Sequence, residues 1–241
     1  MDDYGYFNIP QSCVVKNTIF KRLFYENTDL GPADKKLFTD VINKITWLYC
    51  LKPETVNIQS YKDDIREYVE IEFLEIKLEE DKKTDRIAEI IMRTIPYPMV
   101  LIFELHDRVK LNVAHQRMSL NDSSKNTIEE FISTDWIDKG GSLFDKLDIR
   151  KMRFTNFYAL YSDIVDTISI YNASNILPAK SDLTGEEARE LLSSIEAIEQ
   201  DITSLKAKLK KETQFNRKME MNIEIKKLEK EMINIAGGAI K

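Results

Sequence analysis

Cysteine and histidine are scarce in this chain, two of each among 241 residues. Cys13 and Cys50 form no Cys-x-x-Cys pair. Two histidines cannot complete the four ligands of a structural zinc site, so no metal site is expected. A disulfide framework is excluded as well, which fits a reducing cytoplasm. Seven glycines and six prolines are too few for a loop-rich all-β protein or a disordered chain. No apolar run approaches the ~20 residues a membrane helix needs, so no membrane partner is expected. The start, Met1-Asp2-Asp3-Tyr4-Gly5-Tyr6, is acidic and lacks the pattern of a signal peptide. The phosphate-binding loop, the nucleophile elbow and the zinc-protease helix are missing too, so no cofactor is expected. A net charge of -6 argues against a general nucleic-acid coat and leaves a local basic patch open.

What the chain does have is a last quarter that reads as one long charged helix from Thr184 to Ala236. Leu191, Ile195, Ile198, Ile202, Leu205 and Leu209 recur at alternating spacings of four and three, the seam of a coiled coil. Thr184-Gly185-Glu186-Glu187 fits a capping box at its start, and Gly237-Gly238 a stop at its end. Unbroken, it would span roughly 80 Å. A second run, Met221, Ile225, Leu228, Met232 and Ile235, lies in a shifted phase. Such a shift marks a stutter, a local unwinding or a change of partner. The first third is acidic (Glu186, Glu187, Glu190, Glu196, Glu199, Asp201) and the middle basic (Lys206, Lys208, Lys210, Lys211, Arg217, Lys218). That segregation favours an antiparallel homo-oligomer centred near Thr203. A helix folded back on its own domain, or docked on a different protein, stays open.

Upstream, the pattern predicts helices over Asn17–Glu26, from Pro32 to about Cys50, over Asp81–Thr94 and over about Arg150–Tyr171. It predicts strands over Thr55–Gln59, Glu67–Leu78 (with a bulge near Phe73), Met99–Leu105 and Val109–Val113. Thr127–Trp136 is ambiguous between strand and helix. Met99–Leu105 is almost wholly apolar and should be central. The expected fold is α+β: residues 1–171 form a mostly antiparallel sheet with helices packed on it. A linker over 172–183, including Pro178, leads to the coiled-coil helix of 184–241.

Two constellations could carry chemistry. Asp64 followed by Glu75-Ile76-Lys77 has the order of a magnesium-dependent, restriction-type nuclease. There carboxylates hold the metal and a lysine polarises the attacking water. Glu75 and Lys77 would share one face of a strand. The same acid-x-Lys triplet occurs at Asp34, Glu80, Asp81 and Glu224, so ordinary strand charges are the plainer reading. The second is a basic-aromatic patch, Arg150, Lys151 and Arg153 with Lys139, Lys146, Trp136, Phe154 and Tyr158, which suits single-stranded nucleic acid. Asp145 and Asp148 dilute it. The histidines, His106 and His115, would lie too far apart along a hairpin to share a ligand, with Asp107-Arg108 as its turn.

Phe7-Asn8-Ile9-Pro10, Trp47 through Pro53-Glu54-Thr55-Val56-Asn57-Ile58, Ile95-Pro96-Tyr97-Pro98, Thr134-Asp135-Trp136, and Glu212 through Asn222 together resemble one bacterial family, domain of unknown function four-three-nine-one. The resemblance covers nearly the whole chain and brings no catalytic residues. It implies a cytoplasmic bacterial protein encoded beside helicases and DNA methyltransferases of restriction-like phage defence. The leading expectation is a non-enzymatic assembly subunit of such a complex, with a helicase or methyltransferase as partner. The alternatives are the nuclease with Asp64, Glu75 and Lys77, and a nucleic-acid binding module.

Overall fold

The computed structural model describes residues 4–28, 30–118, 126–177 and 182–237. Pro178 of the expected linker and Gly238 of the expected stop lie outside them. The strands are β1 (Val14–Ile19), β2 (Ile42–Leu51), β3 (Tyr61–Lys62), β4 (Glu67–Tyr68), β5 (Ile71–Leu78), β6 (Met99–Leu105), β7 (Arg108–Met118), β8 (Asn126–Ser133) and β9 (Ile137–Asp138). The helices are α1 (Arg22–Asn27), α2 (Pro32–Asp40), α3 (Pro53–Val56), α4 (Thr84–Thr94), α5 (Ser142–Lys146), α6 (Phe157–Ile176), α7 (Gly185–Lys211) and α8 (Phe215–Gly237). The contacts divide the chain into two units, Met1–Val165 and Asp166–Lys241, with the boundary inside α6.

The first unit is α+β. Its main sheet has the order β1-β2-β5-β6-β7-β8, with β9 also on β7. The sheet is mixed rather than mostly antiparallel, because β5 and β6 run parallel. A parallel pair needs a crossover, and α4 supplies it. As expected, β6 lies at the centre of the sheet.

Both faces of β5 are covered. Leu74, Ile76 and Leu78 join Leu101 and Phe103 of β6 in a core with Phe24, Phe38, Ile87 and Ile91 from the helices. On the other face, Phe73 meets Phe7 edge-on at 5.3 Å and Tyr49 at 6.0 Å. Phe7 in turn packs on Phe144 of α5. Double coverage explains why the inward set of Glu67–Leu78 changes phase: both sets are inward. The extra residue sits on the neighbouring strand, since Trp47 pairs with Leu74 and Tyr49 with Phe73, leaving Leu48 bulged.

Three expectations fail here. Residues 32–50 are not one helix, because α2 stops at Asp40 and β2 follows. Ile42, Ile45 and Tyr49 mimic helical spacing, but β2 is buried along most of its length and carries a bulge. The Asn17–Glu26 helix is the end of β1 plus α1, and Phe20 between them is exposed. Thr55–Gln59 contributes to the one-turn helix α3 rather than to a strand.

The second unit corrects the single coiled-coil helix. It contains α7 and α8, joined at Glu212–Gln214 and packed on each other. The capping box forms as read: Thr184 Oγ1 accepts from the Glu187 amide at 3.3 Å, and the Glu187 carboxylate accepts from the Thr184 amide at 2.8 Å. Ile198, Ile202 and Ile225 are buried together, flanked by Leu205, Leu209, Leu228, Met232 and Ile235. From Ile198 to Leu209, the first seam therefore packs on the second seam of the same chain. The two are offset by two positions, about 200° around a helix, so a straight helix would aim them apart. The Glu212 carboxylate accepts the amides of Thr213 and Gln214 at 2.7 and 2.8 Å and fixes the turn. Those two bonds also hold its carboxyl below the usual range. Lys206 and Glu229 pair across the hairpin at 3.1 Å.

Truncating Ile202 to Ala should destabilise the hairpin by about 2–4 kcal/mol. Faster tryptic cleavage around residues 206–218, with a lower helical signal on heating, is the expected result.

Candidate functional site

The strongest polar cluster lies on the sheet face opposite α4. Glu75 pairs in register with Ile102 and Lys77 with Glu104. In a parallel pair those side chains share a face, so Glu75, Lys77 and Glu104 converge. Lys77 Nζ lies 3.8 Å from Glu75 Oε1 and 3.5 Å from Glu104 Oε1. Lys139, just after β9, reaches Glu104 Oε2 at 2.9 Å. The turn at Gly5–Phe7 carries Tyr4 over the cluster, where its hydroxyl lies 2.9 Å from both Glu75 Oε1 and Glu104 Oε2. Thr46 of β2 sits opposite Glu75 in register and is buried.

Burial works against ionisation of Glu104, but the bonds from Lys139 and Tyr4, with the charges of Lys139 and Lys77, outweigh it. Its carboxyl is held below the usual range. Burial, then the charges of Glu75 and Glu104, push the Tyr4 phenol far above its usual range. Tyr4 is therefore a proton donor throughout the physiological range.

Asp64 does not join Glu75 and Lys77. It is exposed in the turn of the β3–β4 hairpin. The neighbouring Ile65 carbonyl accepts the Met118 amide, whereas Glu75 is level with Ile102 and hence Leu111. Seven residues of β7 separate those levels, about 23 Å. The acid beside Glu75 and Lys77 is Glu104, which sequence reasoning missed. Its signal was a lone carboxylate within the apolar strand Met99–Leu105. Nothing in the sequence marked Tyr4 or Thr46.

A second cluster lies at the other end of β5. Cys50, Glu70 and Glu72 bring potential ligand atoms within 4.8 Å of one another. Burial, then the Glu72 and Glu70 charges, push the Cys50 thiol up to about 12, so it stays protonated. Cys13 is likewise raised by burial. Neither thiol is poised as a nucleophile. Burial pushes Glu72 up to about 7, against the opposing bond from Trp47 Nε1.

The three cations at the centre of the basic patch are engaged within the chain, while Phe154 is exposed. Arg150 forks onto Asp148 at 2.9 and 2.7 Å, Arg153 binds Asp163 at 2.8 Å, and Lys151 reaches the Asp145 carbonyl at 3.2 Å. Trp136 donates to Asp81, and Tyr158 stacks on Tyr61 at 4.8 Å. His115 is buried against Tyr68, whose hydroxyl lies 2.8 Å from its Nδ1.

On the hairpin, Ile198, Ile202, Leu205, Leu209, Ile225, Leu228 and Met232 are occupied with one another. Ile195 is buried, and Leu191 and Met221 are half-buried. The residues that face solvent are others. Phe215, Met219 and Ile223, at four-residue spacing on α8, are 72%, 49% and 62% exposed.

The raised Glu72 predicts a pH effect. Unfolded, this carboxyl ionises near 4.3; folded, near 7. The folded state therefore holds the extra proton between those values, and stability falls as pH rises through them. Glu72→Gln should raise stability by about 1–3 kcal/mol at pH 8 and change little at pH 4, as read by denaturant melts at both pH values.

No described helix is long and apolar enough to cross a membrane. No curated protein and no solved structure matches the chain. The family described as Domain of unknown function (DUF4391) matches over residues 7–232, nearly the whole sequence. The chain therefore belongs to that family.

Proposed function

We propose that this protein is an interaction subunit whose α7–α8 hairpin docks on a partner protein. One observation carries the reading: Phe215, Met219 and Ile223 form an exposed apolar row on α8. Three large apolar side chains at helical spacing are the anchors by which helices enter grooves. The inner seam is already filled by α7, so the outer row is the surface left for a partner. The family resemblance supplies the setting, a bacterial anti-phage complex with a helicase or DNA methyltransferase as the docked protein.

The test is co-expression with a helicase and a DNA methyltransferase from the same genome. Replacing Phe215, Met219 and Ile223 together by Ser should abolish co-purification and leave the helical signal and melting temperature unchanged. Wild-type protein that runs as a monomer and captures neither protein would overturn the reading. A stable homodimer lost in the triple variant would replace it with self-association.

A further inference from the structure

The contacts around Tyr4 do not balance. Its hydroxyl has one proton, yet its oxygen lies 2.9 Å from a carboxylate oxygen of Glu75 and 2.9 Å from one of Glu104. A phenol can donate to one of them only. The second short contact joins two oxygens with no proton between them. The positive charge nearest that contact is Lys139, whose Nζ lies 2.9 Å from the same Glu104 oxygen.

Thr46 adds an independent observation. It is 8% exposed, and its Oγ1 is buried with no hydrogen-bond partner. Leaving a buried hydroxyl unsatisfied costs about 1–3 kcal/mol. Directly opposed residues of an antiparallel pair project to the same face, so Thr46 aims where Glu75 aims. Two carboxylates and a hydroxyl are hard oxygen donors, the kind that hold magnesium, manganese or calcium.

We propose that Glu75, Glu104 and Thr46 form a binding site for a hard divalent cation, which displaces the Tyr4 hydroxyl as the bridge between the two carboxylates. The carboxylate oxygens are at most two hydrogen-bond lengths apart through Tyr4, and side-chain rotation brings them onto one ion. Lys77, 40% exposed at the rim, marks the open side. Without the ion, Lys77 and Lys139 balance the two glutamates. With it, the ion's charge is in excess, so the ligand completing its shell is anionic, and the two ammonium groups flank that position. The inference uses the first unit alone and is independent of the hairpin reading.

Manganese binding to the full chain, followed by electron paramagnetic resonance, tests it. Wild type should bind one ion. Glu75→Gln and Glu104→Gln should each weaken binding on the order of 10- to 100-fold, and Thr46→Val roughly 10-fold. Tyr4→Phe keeps the ring that stacks near Phe7 and removes the competing hydroxyl, so it should tighten binding. It decides the matter if the Gln variants fail to fold. The proposal is overturned if neither wild type nor Tyr4→Phe binds manganese below about 1 mM, or if Tyr4→Phe leaves affinity unchanged. Binding that survives both Gln substitutions and is lost in Glu72→Gln would place the ion at the Cys50 cluster and overturn it as well.

Discussion

The parallel pairing of β5 with β6 is the constraint on which the first unit depends. It requires a crossover, and α4 is that crossover. Once α4 lies on one face, Leu74, Ile76, Leu101 and Phe103 are committed to it. Period-two geometry then sends Glu75, Lys77 and Glu104 to the other face together. That face is itself closed by Tyr4, Phe7 and Phe144, so its charges are largely shielded from water. Charges held there must be paired. The arrangement of Tyr4, Lys77 and Lys139 around two glutamates follows from the strand order.

Elements with one clean period were legible in the sequence. α4 combines a buried set at Ile87, Ile90 and Ile91 with polar residues opposite, and it stops before Pro96. β6 is too short and too apolar to be anything but a central strand. β2 was not legible, because covering both faces of a strand erases alternation and chance spacing then imitates a helix. The β6–β7 turn shows a milder error. Asp107-Arg108 looked like the turn, but Leu105 pairs with Arg108 and His106 takes a left-handed φ of 55°. The register slips by two residues, so every side chain keeps its face and the core is unchanged.

The candidate site was half legible. Glu75-x-Lys77 is a local pattern, and strand geometry alone places both on one side. Its second acid is a long-range fact: Glu104 reaches it only because β6 runs beside β5 in that register. Asp64 was chosen for sequence order, yet β4 and the start of β5 carry the chain away from it before Glu75 is reached. Tyr4 arrives from the N-terminal turn and Lys139 from the far side of β9. Neither connection leaves a spacing that a single sequence could reveal.

The hairpin shows how one helical sequence can hold two seams. Counting on from Leu209 in alternating threes and fours reaches Glu212, Asn216, Met219 and Ile223. The residues that α8 buries against α7 are instead Ile225 and, in part, Leu228, Met232 and Ile235. The turn at Glu212–Gln214 selects the second set and strands the first, so Met219 and Ile223 face solvent beside Phe215. A helix apolar on two sides is poorly suited to water on either one. The inner side is satisfied within the chain, and the outer side keeps the spacing of a helix-binding surface. Lys206, from the basic stretch, is paired across the hairpin with Glu229. Met219 and Ile223 of the exposed row are thus the part of the first apolar set that intramolecular folding leaves uncovered.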